Sequence, residues 1–369
     1  MFGIVEKFLR FRALKKFYVR YERLLVPGML LVGVLVDVIT FRTVSVSTAL
    51  ILLMVYAVIA GIMILVMHWH DARKTLIERP TGRGYVRLIA PLVVQFTFGA
   101  CLSGSLVFYW FSGAFTVSWP FILVLVFLMG ANDVFREYYL KPIVQLSVYY
   151  FILFSVLSVS FPFLFNSLSS WIFVFSGGVS LVIGVLYVQG LFRVRPDLRH
   201  IRPRPIFSML IIFGVMNALY FGNVIPPIPL SLIDAGVYHS VEHVGSDYVV
   251  YGEEESFIDQ LIPGQTIHAS SGRRLYVYAS IFAPVDLNTT IVHHWQRYEE
   301  GEGWVSVNRL SYSISGGRSG GYRGYSYLTN YQSGTWRVDV ETLRGQVIGR
   351  LKFEIEDVEN LPELIKQIK

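Results

Sequence analysis

The sequence predicts an α-helical membrane bundle of about seven transmembrane helices, followed by an all-β, immunoglobulin-like antiparallel sandwich. Three observations carry that expectation. Apolar runs close to the roughly 20 residues that cross a bilayer recur through the first 225 residues. Charge divides the chain: residues 1–225 hold 20 of the 32 Lys and Arg but 8 of the 26 Asp and Glu, a net of +12, while the remainder holds 12 and 18, a net of −6. Beyond residue 226 the apolar period becomes two, the period of strands. A composition of 53% hydrophobic and 16% charged residues is too apolar for an ordinary soluble protein. The basic excess lies in short segments beside apolar runs, which points to a membrane surface and away from nucleic acid.

Residues 1–23 form a basic amphipathic cytoplasmic segment. Phe2, Val5, Phe8, Leu9 and Tyr18 are interspersed with Lys7, Arg10, Arg12, Lys15, Lys16 and Arg20, as suits a helix lying on an anionic leaflet. The bundle, residues 24–222, has spans at about Leu24–Thr40, Ser47–His68, Leu88–Phe111, Trp119–Phe135, Leu146–Phe165, Trp171–Phe192 and Ile206–Phe221. No small-residue cleavage site follows the first, which reads as an uncleaved anchor. Basic residues flank alternate ends: Arg73, Lys74, Arg79, Arg83 and Arg87, then Arg136 and Lys141, then Arg193, Arg195, Arg199, Arg202 and Arg204. The other loops contain Arg42 alone, so the N-terminus is expected in the cytoplasm and the C-terminal region outside. Trp110, Trp119 and Trp171 fall at the expected outer edges and Trp69 at an inner one. Small residues four apart (Ala57 and Gly61, Ala100 and Gly104, then Ser176, Ser180 and Gly184) argue for close helix packing or a homo-oligomer face.

Polar residues within the spans are few: Asp37, Gln95, Asn132, Asp133 and Asn217. Such groups are costly in lipid and would line any substrate path. His68, His70 and Asp71 have donor types suited to zinc, but their spacing matches no strong zinc signature and reads better as a polar helix end. The single cysteine, Cys101, excludes an intrachain disulfide or thiolate zinc site.

Residues 223–232 form a Pro-rich spacer, with Pro226, Pro227 and Pro229 favouring an extended chain. The sandwich is expected over 233–369, with strands near Leu275–Phe282, Thr290–Tyr298, Leu310–Ile314, Trp336–Glu341 and Leu351–Ile355. Leu361–Lys369 reads as a short polar helix or frayed tail. The Gly-rich run from Ser315 to Tyr325 permits close backbone approach to a ligand. There Arg318 and Arg323 can grip anions, and Tyr322, Tyr325 and Tyr327 can stack on sugar faces, with Trp336 expected as a further ligand contact. The alternative reading of that run is a bulged hairpin whose arginines pair with nearby acids. On a strand, His293 and His294 face opposite ways. No metalloprotease order, Walker loop, dinucleotide fingerprint or nucleophile elbow is present, so no catalytic residue, metal or cofactor is assigned.

The residues Pro226-Pro227-Ile228-Pro229-Leu230-Ser231-Leu232, Ala235-Gly236-Val237-Tyr238-His239, Gly316-Gly317-Arg318, Gly321-Tyr322-Arg323, Trp336–Thr342 and Gly345–Arg350 together resemble the bacterial domain-of-unknown-function family 2914. The resemblance covers about 226–356. Gly130-Ala131-Asn132-Asp133 is similar to a short motif of the membrane part that precedes such domains, with Ala131 inserted and Asp133 in place of a glutamate. It implies a bacterial inner-membrane setting and transfers no catalytic residue. The leading expectation is therefore a non-enzymatic envelope protein whose outer domain binds a cell-envelope glycan, or a periplasmic or membrane protein partner. The alternative is a transporter or flippase accessory that moves a lipid-linked or small solute through the bundle.

Overall fold

The computed structural model describes residues 46–73, 84–111, 115–134, 138, 141–226, 230–245, 247–253, 265–270, 272–283, 287–315 and 321–369. The expected first span, with Asp37, and the loop residue Arg318 lie outside them. The chain falls into two compact units. One comprises Met1–Val107, Ile122–Phe161 and Phe173–Ala218; the other comprises Phe108–Phe121, Pro162–Ile172 and Leu219–Lys369.

The apolar runs form helices α1 (Val46–Arg73), α2 (Gly84–Phe111), α3 (Phe115–Val134), α4 (Pro142–Leu164), α5 (Ser170–Val194) and α6 (Pro203–Phe221), with a 3-10 turn at Pro196–Ile201. Pro142 and Pro203 open their helices, where a missing N–H leaves no bond unmade. Among the described residues five segments are long and apolar enough to cross a membrane: Ser47–Ala72, Ile89–Tyr109, Pro142–Leu164, Ser170–Val194 and Pro203–Phe221. Val117–Asn132 is shorter.

α4 is the central helix of its unit. Of its most apolar stretch 83% is buried, against 33% in α1 and α5 and 22% in α6. Its Tyr149 ring lies 6.4 Å from Phe98 of α2 and 5.1 Å from Tyr187 of α5, and Phe154 lies 5.2 Å from Phe173 and 6.1 Å from Phe213. Small residues let the neighbours approach. A Cβ on Gly61 would collide with the Tyr149 hydroxyl, and one on Gly177 would stand 2.6 Å from Phe154 and 2.8 Å from Phe213. On α5, Ser176, Gly177, Ser180 and Gly184 are buried, while Trp171, Phe175, Val182 and Leu186 face outward. Small residues inside and large apolar ones outside is the pattern of helices solvated by lipid.

The second unit carries eleven strands among its described residues: β1 (Ser231–Tyr238), β2 (Ser240–Val244), β3 (Asp247–Gly252), β4 (Gln265–Ala269), β5 (Leu275–Phe282), β6 (Asn288–Glu299), β7 (Gly303–Ser315), β8 (Tyr322–Leu328), β9 (Gly334–Thr342), β10 (Val347–Asp357) and β11 (Ile365–Ile368). They make three sheets, ordered β1-β5-β8, β4-β10-β9-β6-β7 and β11-β3-β2. The three-stranded β1-β5-β8 sheet is the middle layer. Its inner face (Val237, Leu275, Val277, Ala279, Ile281) meets Trp295, Trp336, Val338, Val340 and Phe353 of the five-stranded sheet. Its other face packs Tyr238 and Tyr278 against Val241 and Val250 of the β2–β3 hairpin.

Two expectations are corrected. The β region is not wholly antiparallel, because β4 pairs parallel to β10 from Gln265↔Phe353 to Ala269↔Asp357. Nor is the end of the chain a helix or a frayed tail: Ile365–Ile368 adds to β3 as an edge strand, which satisfies backbone groups that β3 would otherwise leave bare.

Gly177→Ala decides between two effects of opposite sign. Helix propensity alone would add up to about 1 kcal/mol of stability. Overpacking against Phe154 and Phe213 costs about 1–3 kcal/mol. The expected result is a lower thermal midpoint for the detergent-solubilised protein.

Candidate functional site

The two-residue period of β8 divides the binding residues expected there. Tyr322, Gly324, Ser326 and Leu328 turn toward the five-stranded sheet, and Arg323, Tyr325 and Tyr327 turn away from it. Trp336, expected among the contacts, is 1% exposed and donates its Nε1–H to the Gln332 carbonyl at 2.8 Å. Its ring has no surface to offer a ligand. Tyr322 likewise packs at the core.

What the structure does bring together is an aromatic face. Register sets Tyr276 opposite Tyr327 and Tyr278 opposite Tyr325 on β5 and β8. Ring centroids are 5.7 Å apart for Tyr276–Tyr327 and 6.0 Å for Tyr276–Tyr325. Tyr248 of β3 extends the row, 6.2 Å from Tyr325 and 5.8 Å from Tyr278, and His243 lies 4.8 Å from Tyr248. Arg274 lies 4.7 Å over the Tyr327 ring, and Arg323 donates to the Asp247 carboxylate at 3.1 Å. Tyr325 and Tyr327 are 40% and 42% exposed. The alternation of Tyr276 and Tyr278 with Val277 and Ala279 was present in the sequence, but only the β5–β8 register joins them to Tyr325 and Tyr327.

The outer face of the five-stranded sheet holds a polar network. Asp339, 3% exposed, accepts two bonds from Arg350 at 2.6 and 2.7 Å, and Glu341 accepts from Arg309 at 2.5 Å. Burial raises the Glu341 carboxyl above its ordinary range, against the pull of Arg309. Ser306, His294 and Glu341 stand in line, with His294 Nε2 2.8 Å from the Ser306 hydroxyl and Nδ1 3.5 Å from Glu341. Arg337 donates to Gln296 Oε1 at 2.6 Å, which turns the Gln296 amide nitrogen toward the His294 ring, 2.8 Å from Nδ1 and 3.2 Å from Nε2.

A second histidine is fully inside. His293 bonds through Nδ1 to the Ser326 hydroxyl at 2.8 Å and through Nε2 to Tyr312 at 3.1 Å, while Trp295 donates to the same Ser326 oxygen at 3.0 Å. Burial pushes His293 down to about 4. At the sheet margin Glu253 accepts from His239 at 3.0 Å, from the His268 ring at 2.8 Å and from the His268 N–H at 2.8 Å. Burial acts to raise Glu253, but these bonds outweigh it and the net direction is down. His268 is raised, first by its bond to Glu253. Among the described residues no group of three or more His, Cys, Asp or Glu is placed to hold a metal ion.

In the helical unit, Gln95 and Asn132 clasp reciprocally: each side-chain amide donates to the other's backbone carbonyl, at 2.9 and 3.1 Å. Asn217 donates to Phe213 of its own helix at 2.8 Å, and His68 meets Gln145 of α4 at 3.0 Å. The side chain of Asp133 lies outside the described residues.

These features define a protein with a multi-helix apolar region followed by a β region of three sheets. Within the latter, residues 288–355 match the family described as "Protein of unknown function (DUF2914)". The chain thus carries a DUF2914 domain C-terminal to its helices, spanning β6 to most of β10 and the whole polar network. No curated protein matches the chain. Among solved structures it is similar to the Pseudomonas fluorescens alkylpurine DNA glycosylase AlkC bound to DNA containing an abasic site analog, at 10% identity over 81% of this chain and 99% of that one. With a TM-score of 0.22 that likeness carries no argument.

The histidines predict a stability maximum near pH 6.5. His268, raised in the folded state, stabilises fully below its unfolded value of about 6.5, and that contribution is lost as pH rises through its folded value. His293, depressed in the folded state, stabilises above about 6.5 and loses that contribution as pH falls toward about 4. Thermal midpoints against pH should fall on both sides. Glu253→Gln should flatten the alkaline limb, and His293→Gln the acid limb.

Proposed function

We propose that the protein is a non-enzymatic, multi-pass protein of the bacterial inner membrane. Its N-terminus is cytoplasmic, and an immunoglobulin-like outer region recognises a cell-envelope glycan. The observation that carries this reading is the tyrosine face of the middle sheet. Tyrosine offers a large, rigid and amphipathic contact area at low entropic cost, with a hydroxyl for sugar oxygens. Tyr276, Tyr325 and Tyr327 form a row along which the CH faces of successive sugar rings can lie. Arg323 and Arg274 at its margin suit acidic or N-acetylated sugars. Orientation is supported by the basic segments at alternate helix ends and by the grouping of Trp119 and Trp171 in one unit with the β region. The bonds of Gln95, Asn132 and Asn217 are ties within and between helices and do not favour a transport path.

The test uses the full-length protein in nanodiscs, titrated with peptidoglycan fragments and other envelope glycans. Tyr325→Ala/Tyr327→Ala should weaken binding by about tenfold or more, since each aromatic contact is worth about 0.5–1.5 kcal/mol. Glycan binding at unchanged affinity in that variant would remove the face from the site. If no glycan binds, the reading gives way to a protein partner.

A further inference from the structure

We propose that the β9–β10 turn docks on the bilayer surface, with Leu343 entering the headgroup layer beside the end of α6 and Arg344 holding it there. The turn is Thr342–Gly345. It is closed by Gly345 N–H to the Thr342 carbonyl at 2.9 Å and by Thr342 N–H to the Gln346 carbonyl at 3.0 Å. Gly345 takes φ +80°, a left-handed conformation that costs glycine nothing. Leu343 and Arg344 are thereby thrown outward from strands buried on either side at Thr342 and Gln346. Leu343 is 66% exposed.

One exposed leucine is ordinary on a soluble surface. The position of this one is not. Arg344 donates to the Tyr220 hydroxyl at 2.7 Å, and its guanidinium lies 4.8 Å over the Tyr220 ring and 5.6 Å over Phe221. Both rings belong to the last turn of α6, an apolar helix long enough to span. Consecutive Cα atoms are about 3.8 Å apart, so Leu343 stands within one residue of a side chain that touches a helix end. A second tie lies within the same unit: Leu168, between α4 and α5, packs against the β core cluster that holds Leu230, Ile291 and Ile348. Around these ties Leu164 is 67% exposed, Phe165 52%, Trp171 79% and Phe221 55%. Leu343 continues that apolar belt, and its occupant is the same lipid surface. The neighbouring guanidinium suits headgroup phosphates.

The proposal rests on the helices spanning a bilayer and not on the glycan reading, so the two can fail separately. Cys101, the sole cysteine, is buried, so an environment-sensitive fluorophore can be placed on Leu343→Cys in the full-length protein. Glu300→Cys serves as the control. It lies in the β6–β7 turn, at the opposite end of the five-stranded sheet, because Thr342 pairs with Ile291 and Trp336 with Arg297. In proteoliposomes the probe at 343 should shift its emission to the blue, be quenched by lipids carrying a headgroup nitroxide, and lose quenching by aqueous iodide. Tyr220→Phe should diminish that quenching by lipid. Emission and iodide access at 343 equal to those at 300 would overturn the proposal. So would protection from iodide without lipid quenching, which would assign the turn to a protein contact.

Discussion

Because lipid solvates leucine as well as a neighbouring helix does, helices in a membrane are held by how closely they can approach, and here that approach converges on α4. Tyr149, Tyr150 and Phe154 fill the space around it, and glycine or serine on the facing helices makes room for them. Once those rings are seated, the few polar side chains find partners by position. The Gln95–Asn132 clasp joins α2 to α3, and His68–Gln145 joins α1 to α4. Both contacts tie one helix to another, while Asn132 Oδ1, Asn217 Oδ1, Gln145 Nε2 and His68 Nδ1 are buried with no hydrogen-bond partner among the described residues.

The β region solves a different problem. Its middle sheet is covered on one side by a broad apolar layer and on the other by a short hairpin that hides only part of it. The inner positions of β5 and β8 are small or aliphatic except for Tyr322 at the start of β8, while the outer positions carry the tyrosines. The tyrosine row is what remains where the hairpin stops. The opposite surface of the five-stranded sheet is sealed by charge. Asp339 and Glu341 are among its least exposed groups, and they keep their arginines in fixed directions through bidentate or short contacts.

Much of this was legible in the sequence. The six helices of the described residues begin and end within a few residues of the apolar runs, because hydropathy and membrane thickness leave little choice. The strands over 275–282, 290–298, 310–314, 336–341 and 351–355 were visible through their period of two, as was the divergence of His293 and His294. Other features were not visible, for specific reasons. A period assigns faces within one strand but not which strands adjoin, so Tyr276 could not be linked to Tyr327, nor Ser306 to His294. Trp336 was expected among the contacts, yet the alternation that groups it with Val338 and Val340 sends the indole inward. The parallel pairing of β4 with β10 joins residues nearly ninety apart, and no local signal announces it.

That parallel pairing bears on what counts as a folding unit. The stretch shared with the DUF2914 family begins at β6, yet the sheet it builds is bordered by β4, and two of its tryptophans, Trp295 and Trp336, are roofed by Val237, Leu275 and Val277 from strands further upstream. Cut at the family boundary, the polypeptide would keep the β10-β9-β6-β7 ladder but lose β4 and the ceiling over Trp295 and Trp336. A segment recognisable by inheritance is thus smaller than the segment that can exclude water. The apolar cover over those tryptophans begins with Val237 of β1, some fifty residues before the family match.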